Sequence, residues 1–534
     1  MPTKHARARI AENLVTFDGL IVDAARAIDD SRFRSAAVTL QSAARFAWYN
    51  HPGIFRSLRL EELAAQIGEK LVARTRADLG LTGHVVHVLS QAYSAGGHTR
   101  LVWRWIENDD KRVNSVVIIG QQGVPVPHQL HEAVAASGGK IISLGEISSN
   151  LLDRAAELRR IANSGVDTVV LHVHPYDVVP SIGLIDVSAK VVFLNHADHV
   201  FWIGGTVADV VADIRPAGQR LSLAYRNVAE ADSVIVPIPL SRPPRSDREG
   251  ARDHLDLSPD AIVIVSIASG YKYGASAGSH FIDIHREFVL SHPDVSLLVV
   301  GPEPTDRWLE ISEETGGRFR AVGMVRDINA YYDAADVYVD STPFASLTSL
   351  LDAAIRAIPV LALNETVADS VLTSNDLSLS NKGVHFSDRE KYLSALEQLV
   401  DHPDKRRKDA AAVHDAVVSD HVSPGWNRML EQLVDHLTVK SVSGADTRSK
   451  DFDHDVDELN YALVGFQDAS GLSEPLWACR LRDAPYMSAR ERMSLLMAVP
   501  VAHRLTSLKF MMPDVVRSKL KIRLKRLAQT AKRR

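Results

Sequence analysis

The chain has 534 residues, 46% apolar and 24% charged, a balance usual for soluble globular domains that excludes a disordered, collagen-like or disulfide-scaffold protein. At about 150 residues per domain it has room for three or four domains. Net charge is −5, but residues 516–534 hold nine cations and no acid, which leaves −14 on the first 515; an acidic body with a basic tail does not read as a nucleic-acid binder and points to a local partner for the tail.

Residues 1–80 read as a helical region. Ile10, Leu14, Phe17, Ile21, Ala24 and Ile28 recur at spacings of three and four and fall on one helical stripe. A second helix is expected from Phe33 towards Trp48, ended by His51-Pro52-Gly53, and a third over Leu60 to Leu71. Glu12 and Asp18 interrupt the apolar core that a signal peptide needs. No apolar run reaches the ~18 residues of a membrane span. The lone Cys479 fits a reducing compartment. The expected location is cytoplasmic, or peripheral at the inner face of the cytoplasmic membrane.

From residue 81 the pattern changes to short β-branched runs separated by helical stretches, at 84–90, 115–121, 140–144, 168–173, 190–196 and 233–239. Such runs predict buried parallel strands in βαβ units. Pro237, Pro239, Pro243 and Pro244 then form a break, because proline continues neither a central strand nor a helix. A second series follows at 261–269, 295–301, 319–325, 337–342 and 360–364. The fold class is therefore α/β, with two facing Rossmann-like units over 81–240 and 241–440. Helical flanks are expected at 1–80 and 441–534. Ligands of such sheets bind outside the carboxyl ends of the strands.

Five groups of residues lie where chemistry is expected. After the first strand comes Ser94-Ala95-Gly96-Gly97-His98, in which paired glycines let the backbone approach a ligand and His98 suits acid–base work near neutral pH. Ser269-Gly270-Tyr271-Lys272 ends the first strand of the second unit and offers a lysine to a diphosphate. Asp340 to Asp352 leads from a strand end into a helix near Thr348 and Ser349, whose hydroxyls suit an anion; Asp352 suits a ribose hydroxyl, or a simple capping box with Ser349. His196, Asp198 and His199 follow the strand at 190–196 and read as a polar cleft wall for a sugar or acceptor rather than a metal set, since the two histidines do not share a helical face. In the tail, Val516, Leu520, Leu524 and Leu527 align on one helical face ringed by cations, the pattern of an interfacial helix on anionic lipid, or of a solvated tail.

The order of these pieces resembles a glycosyltransferase of the B-type fold over roughly residues 83–438. The second unit is most similar to the O-linked N-acetylglucosaminyltransferases and their bacterial protein N-glycosyltransferase relatives, through Tyr271-Lys272, Asp336 to Pro343, Thr348-Ser349-Leu350-Leu351-Asp352 and Pro359. The resemblance implies a metal-independent transferase without a cofactor, taking a nucleotide-sugar donor, UDP-linked, to a glycan, lipid-linked or protein acceptor in cell-surface glycan or glycoprotein assembly. It implies an acceptor-side first unit and a donor-side second unit. Gly96, Gly97, Gly270, Tyr271, Lys272, Thr348, Ser349 and Asp352 would hold the donor, and His98 with Lys272 would be catalytic. The family has a histidine where this chain has Leu347, and a glycine near Ala357-Ile358. A sugar-nucleotide epimerase of the same architecture and an inactive scaffolding subunit are the alternative readings.

Overall fold

The computed structural model describes residues 2–71, 79–94, 97–273, 279–325, 327–365, 376–439, 454–469, 471–513 and 516. Its centre is two parallel sheets. The first contains β1 (Val85–Leu89), β2 (Asn114–Ile118), β3 (Ile141–Ser143), β4 (Thr168–His172), β5 (Lys190–Asn195), β6 (Val210–Asp213) and β7 (Ser233–Ile235). Their spatial order is β3-β2-β1-β4-β5-β6-β7. The second contains β8 (Ile262–Ile267), β9 (Val295–Val300), β10 (Phe319–Ala321), β11 (Val337–Val339), β12 (Val360–Leu363) and β13 (His385–Phe386), ordered β10-β9-β8-β11-β12-β13. Helices cover the sheets, so central strands such as β1, β2 and β9 are buried along their whole length, which is why they read as unbroken apolar runs.

Both sheets reverse strand order at the same place, between their first and fourth strands. β1 lies between β2 and β4, and β8 lies between β9 and β11. A crevice opens at such a reversal, outside the carboxyl ends of the strands. The loops after β1, β8 and β11 carry the residues singled out above.

Two strands escape the sequence pattern. β6 is four residues, Val210-Val211-Ala212-Asp213, and β13 is two. The run expected at 233–239 stops at Ile235, ahead of Pro237, which has no N–H to donate. The proline-rich stretch that follows is pinned rather than loose. Pro237 accepts from the Trp426 indole at 2.9 Å, and the Leu240 N–H donates to His421 at 2.7 Å. The helix Gly425–Val439 carries Trp426 back to the first half, where its ring meets Trp105 edge-on at 5.2 Å.

The N-terminal region forms helices Pro2–Asp29, Phe33–Tyr49 and Leu58–Glu69, the last capped by Ser57. Phe17, Ile21 and Ala24 face the core as the stripe requires. The 441–534 extension is built into the same core. Asp483 is fully buried and accepts hydrogen bonds from Gln41 (2.8 Å), Ser42 (3.0 Å) and Arg45 (2.8 Å). His51 and Asn460 pair at 2.7 Å. First and last segments of the chain therefore share one hydrophobic cluster beneath the first sheet. Residues 517–534 lie outside the described residues, so the expected tail helix is represented only by Val516.

Candidate active site

A cavity of about 230 Å³ lies between the carboxyl edges of the two sheets. Its first-sheet wall is Gly97, His98, His196, Asp198, His199 and Arg215; its second-sheet wall includes Lys272, Phe344, Ser346 and Thr348. The two walls nearly touch. A Cβ added to Gly97 would come within 3.1 Å of the Thr348 hydroxyl, so only glycine lets the loop after β1 come this close without displacing that side chain.

His98 opens the helix Gly97–Asn108. Its Nε2 lies 2.7 Å from the His172 backbone carbonyl. A carbonyl only accepts, so Nε2 carries the hydrogen and Nδ1 keeps its lone pair. That Nδ1 is buried and has no partner. Burial holds the imidazole below its ordinary pKa, so it is neutral at pH 7 with a lone pair to offer. The His196 ring packs 4.5 Å from that of His98. Burial, with His98 adding to it, pushes His196 down to about 3.

Asp198 and Arg215 form a bidentate pair at 2.6 and 2.9 Å. Burial works to raise the Asp198 carboxyl, but the guanidinium overrides it and holds the group below the usual carboxylate range. His199 lies 3.6 Å from the same carboxylate, and burial lowers its pKa. Asp198 is therefore engaged in fixing Arg215. Arg215 is absent from the sequence-derived set, because the strand before it, β6, is not among the expected runs.

Lys272 sits in the turn Gly270–Tyr273 after β8. Its ammonium donates to the Ala345 carbonyl at 2.8 Å and lies 4.8 Å from the centre of the Phe344 ring. Burial, assisted by Arg215, pulls its pKa down to about 8 against the opposing effect of Asp340. The lysine is thus still a cation at pH 7. Ala345 is positioned by the loop after β11. There Oδ1 of Asp340 accepts from the backbone N–H groups of Ser341 (2.9 Å) and Ser346 (3.0 Å) and from the Ser346 hydroxyl (2.5 Å). The sequence pattern flagged Asp340 only as a strand end; here it organises the loop that aims Lys272.

Of the residues expected at the site, Gly97, His98, His196, Asp198, His199, Lys272 and Thr348 line one cavity. Gly270, Tyr271, Ser349 and Asp352 fall outside its lining. Tyr271 is 41% exposed. Asp352 is buried away from the cavity, and its two carboxylate oxygens accept from Arg100 (2.9 Å) and Arg104 (2.8 Å) of the first half. The capping box with Ser349 does not form: the helix starts at Thr348 with no side-chain cap. The charge of Asp352 is drawn across the cleft instead, where two guanidiniums outcompete a backbone N–H. Gly96 lies outside the described residues.

A second, more polar cavity of about 170 Å³ lies at the ends of β1, β2 and β4. Tyr93, His174 and Tyr176 line it from the sheet side, and Arg45 and Tyr486 from the helical flanks. The His174 ring lies 6.0 Å from that of His98, which lines the first cavity.

No family model matches the chain, and no curated protein matches it. Solved structures do. A glycosyltransferase from Rickettsia africae ESF-5 superposes with a TM-score of 0.52 at 15% identity, over 67% of this chain and 99% of its own. The O-GlcNAc transferase of Thermobaculum terrenum aligns over 82% of this chain and 83% of its own, at 15% identity and a TM-score of 0.46. Anabaena Alr3699/HepE, solved with UDP and glucose, aligns over 66% and 99%, at 14% identity and a TM-score of 0.49. Together with the two sheet orders, the likeness to the Rickettsia protein establishes the fold: this chain has the two-domain architecture of the B-type glycosyltransferases, with helical segments added at both ends.

Proposed function

We propose that the protein is a glycosyltransferase moving a sugar from a nucleotide-sugar donor, UDP-linked, to a hydroxylated acceptor. One observation carries this reading: His98 and Lys272 enter the same cavity from opposite halves, one neutral with a lone pair to offer, the other a desolvated cation. Transfer needs both. The acceptor hydroxyl must lose a proton as it attacks, and the diphosphate must gain negative charge as it leaves. In this reading Nδ1 of His98 takes the proton. Lys272 and the Thr348 hydroxyl hold the diphosphate, with no metal ion required. Asp352 braces the two halves through Arg100 and Arg104 rather than holding the ribose. The second cavity receives the part of the acceptor beyond its reacting hydroxyl, in cell-surface glycan or glycoprotein assembly. Residues 516–534 bring the protein to the inner face of the cytoplasmic membrane.

The decisive experiment offers a panel of nucleotide sugars, without and with candidate acceptors, and follows nucleoside diphosphate release by mass spectrometry. Release from one donor supports a transferase. An isomerised sugar with no release assigns an epimerase. Binding with neither product assigns a scaffold, a reading favoured by Leu347 and by the sealed position of Asp352.

A further inference from the structure

Fifteen large apolar side chains stand exposed among the described residues, and seven of them fall within 24 residues of the C-terminal extension: Met493, Met497, Val501, Leu505, Leu508, Met512 and Val516. Leu505 is 83% exposed and Val501 75%. Their spacings are four or three throughout. Some of the residues between them turn inward. Leu495, Val499 and Ser507 are buried, and Phe510 and Met511 pack on the cluster beneath the first sheet. Ser35 bonds Glu491, and Arg34 bonds the Tyr486 carbonyl, so the segment is fastened to the N-terminal helices. The molecule therefore presents a series of exposed apolar side chains, the ridge, on a segment packed against the rest of the fold, and exposed apolar surface of this kind marks interaction sites.

Charge selects the partner. Residues 489–513 carry Arg490, Arg492, Arg504 and Lys509 against one acid, Glu491, and the sequence after them adds nine cations and one acid, while the chain as a whole is at −5. A second copy seated on the ridge would set these four cations against their own counterparts, and the basic tail sequence would bring only like charge to it. An anionic lipid surface accepts both features at once, apolar side chains entering the headgroup boundary and cations remaining among the phosphates. We propose that the ridge Met493–Met512 inserts into an anionic membrane surface, fixing the orientation of the whole molecule. This goes beyond tethering by the basic tail and rests on no part of the catalytic reading.

The test uses the full chain with vesicles of phosphatidylcholine, with and without phosphatidylglycerol. The wild type is expected to sediment with the anionic vesicles only. The double substitution Met497→Glu with Leu505→Glu is expected to weaken that binding by about tenfold or more, with melting temperature and donor turnover unchanged. A polarity-sensitive dye on Leu505→Cys, Cys479 being buried, is expected to shift to the blue on those vesicles. Absence of wild-type binding, wild-type binding by the double variant, or an unshifted dye on bound protein would overturn the proposal. So would a wild-type dimer in light scattering that the double variant loses.

Discussion

The two walls of the cleft treat charge in opposite ways. On the first-sheet side, burial holds His98, His196 and His199 all below the ordinary imidazole value. The wall is neutral at pH 7, rich in lone pairs, and its one carboxylate is neutralised by Arg215. On the second-sheet side Lys272 is equally shut away yet stays charged, because Asp340 stands near enough to oppose the desolvation. A neutral wall suits hydroxyl recognition and proton transfer; a cationic wall suits a diphosphate. Both walls are similarly enclosed, so the division of labour rests on the side chains themselves: the same burial leaves an imidazole neutral and an ammonium, which starts at 10.5, still charged at pH 7.

Four perturbations break or sharpen this contrast. The largest effect is expected from Lys272→Ala, which removes the charge from one wall and should lower kcat/KM for the donor by about 10³-fold with the fold intact. Near-wild-type turnover would remove Lys272 from the site. His98→Gln should cost about 10²-fold in kcat while donor affinity measured by calorimetry stays level; a loss confined to affinity would place His98 on the donor instead.

The pH profile of kcat/KM should show both walls. It falls on the acid side as His98 takes up a proton, below the ordinary imidazole range. It falls on the alkaline side above about 8 as Lys272 gives one up. An alkaline limb unchanged in Lys272→Arg would detach that limb from the lysine. The smallest effect is on stability. Burial raises Asp213 from its usual 3.8 to about 7. The folded protein therefore keeps a proton that the unfolded chain has lost between those values, and stability declines as pH rises through that window. Asp213→Asn preserves an acceptor for Asn195 and Ser222 and should flatten the decline in urea melts between pH 5 and pH 8. A slope equal to the wild type's would mean that Asp213 is ionised in the fold.

The main strands were legible because buried parallel strands are unbroken apolar runs, and the residues after them followed. His98, Lys272 and Thr348 could be placed from the sequence since each stands in the loop or first turn after a strand. What escaped was set by distance. Asp352 meets Arg100 and Arg104 some 250 positions away, so nothing near it in the sequence tells a ribose ligand from a brace. Arg215 followed β6, a strand that the apolar runs had not marked. The outward position of Tyr271 depends on how its turn lies against Phe344, which spacing does not encode. The helical flanks were legible as helices, but their union was not, because Arg45 and Asp483 are joined only by tertiary packing.

That union delays the point at which the first unit can complete its fold. Arg45 is buried with its guanidinium on Asp483, and a buried charge without its partner destabilises a core by roughly 3–5 kcal/mol. The ribosome releases Arg45 first and Asp483 only 438 residues later. Domains tend to fold as they emerge. Here the second Rossmann unit, whose residues lie wholly between the two partners, is free to fold while the first still waits for its last helix.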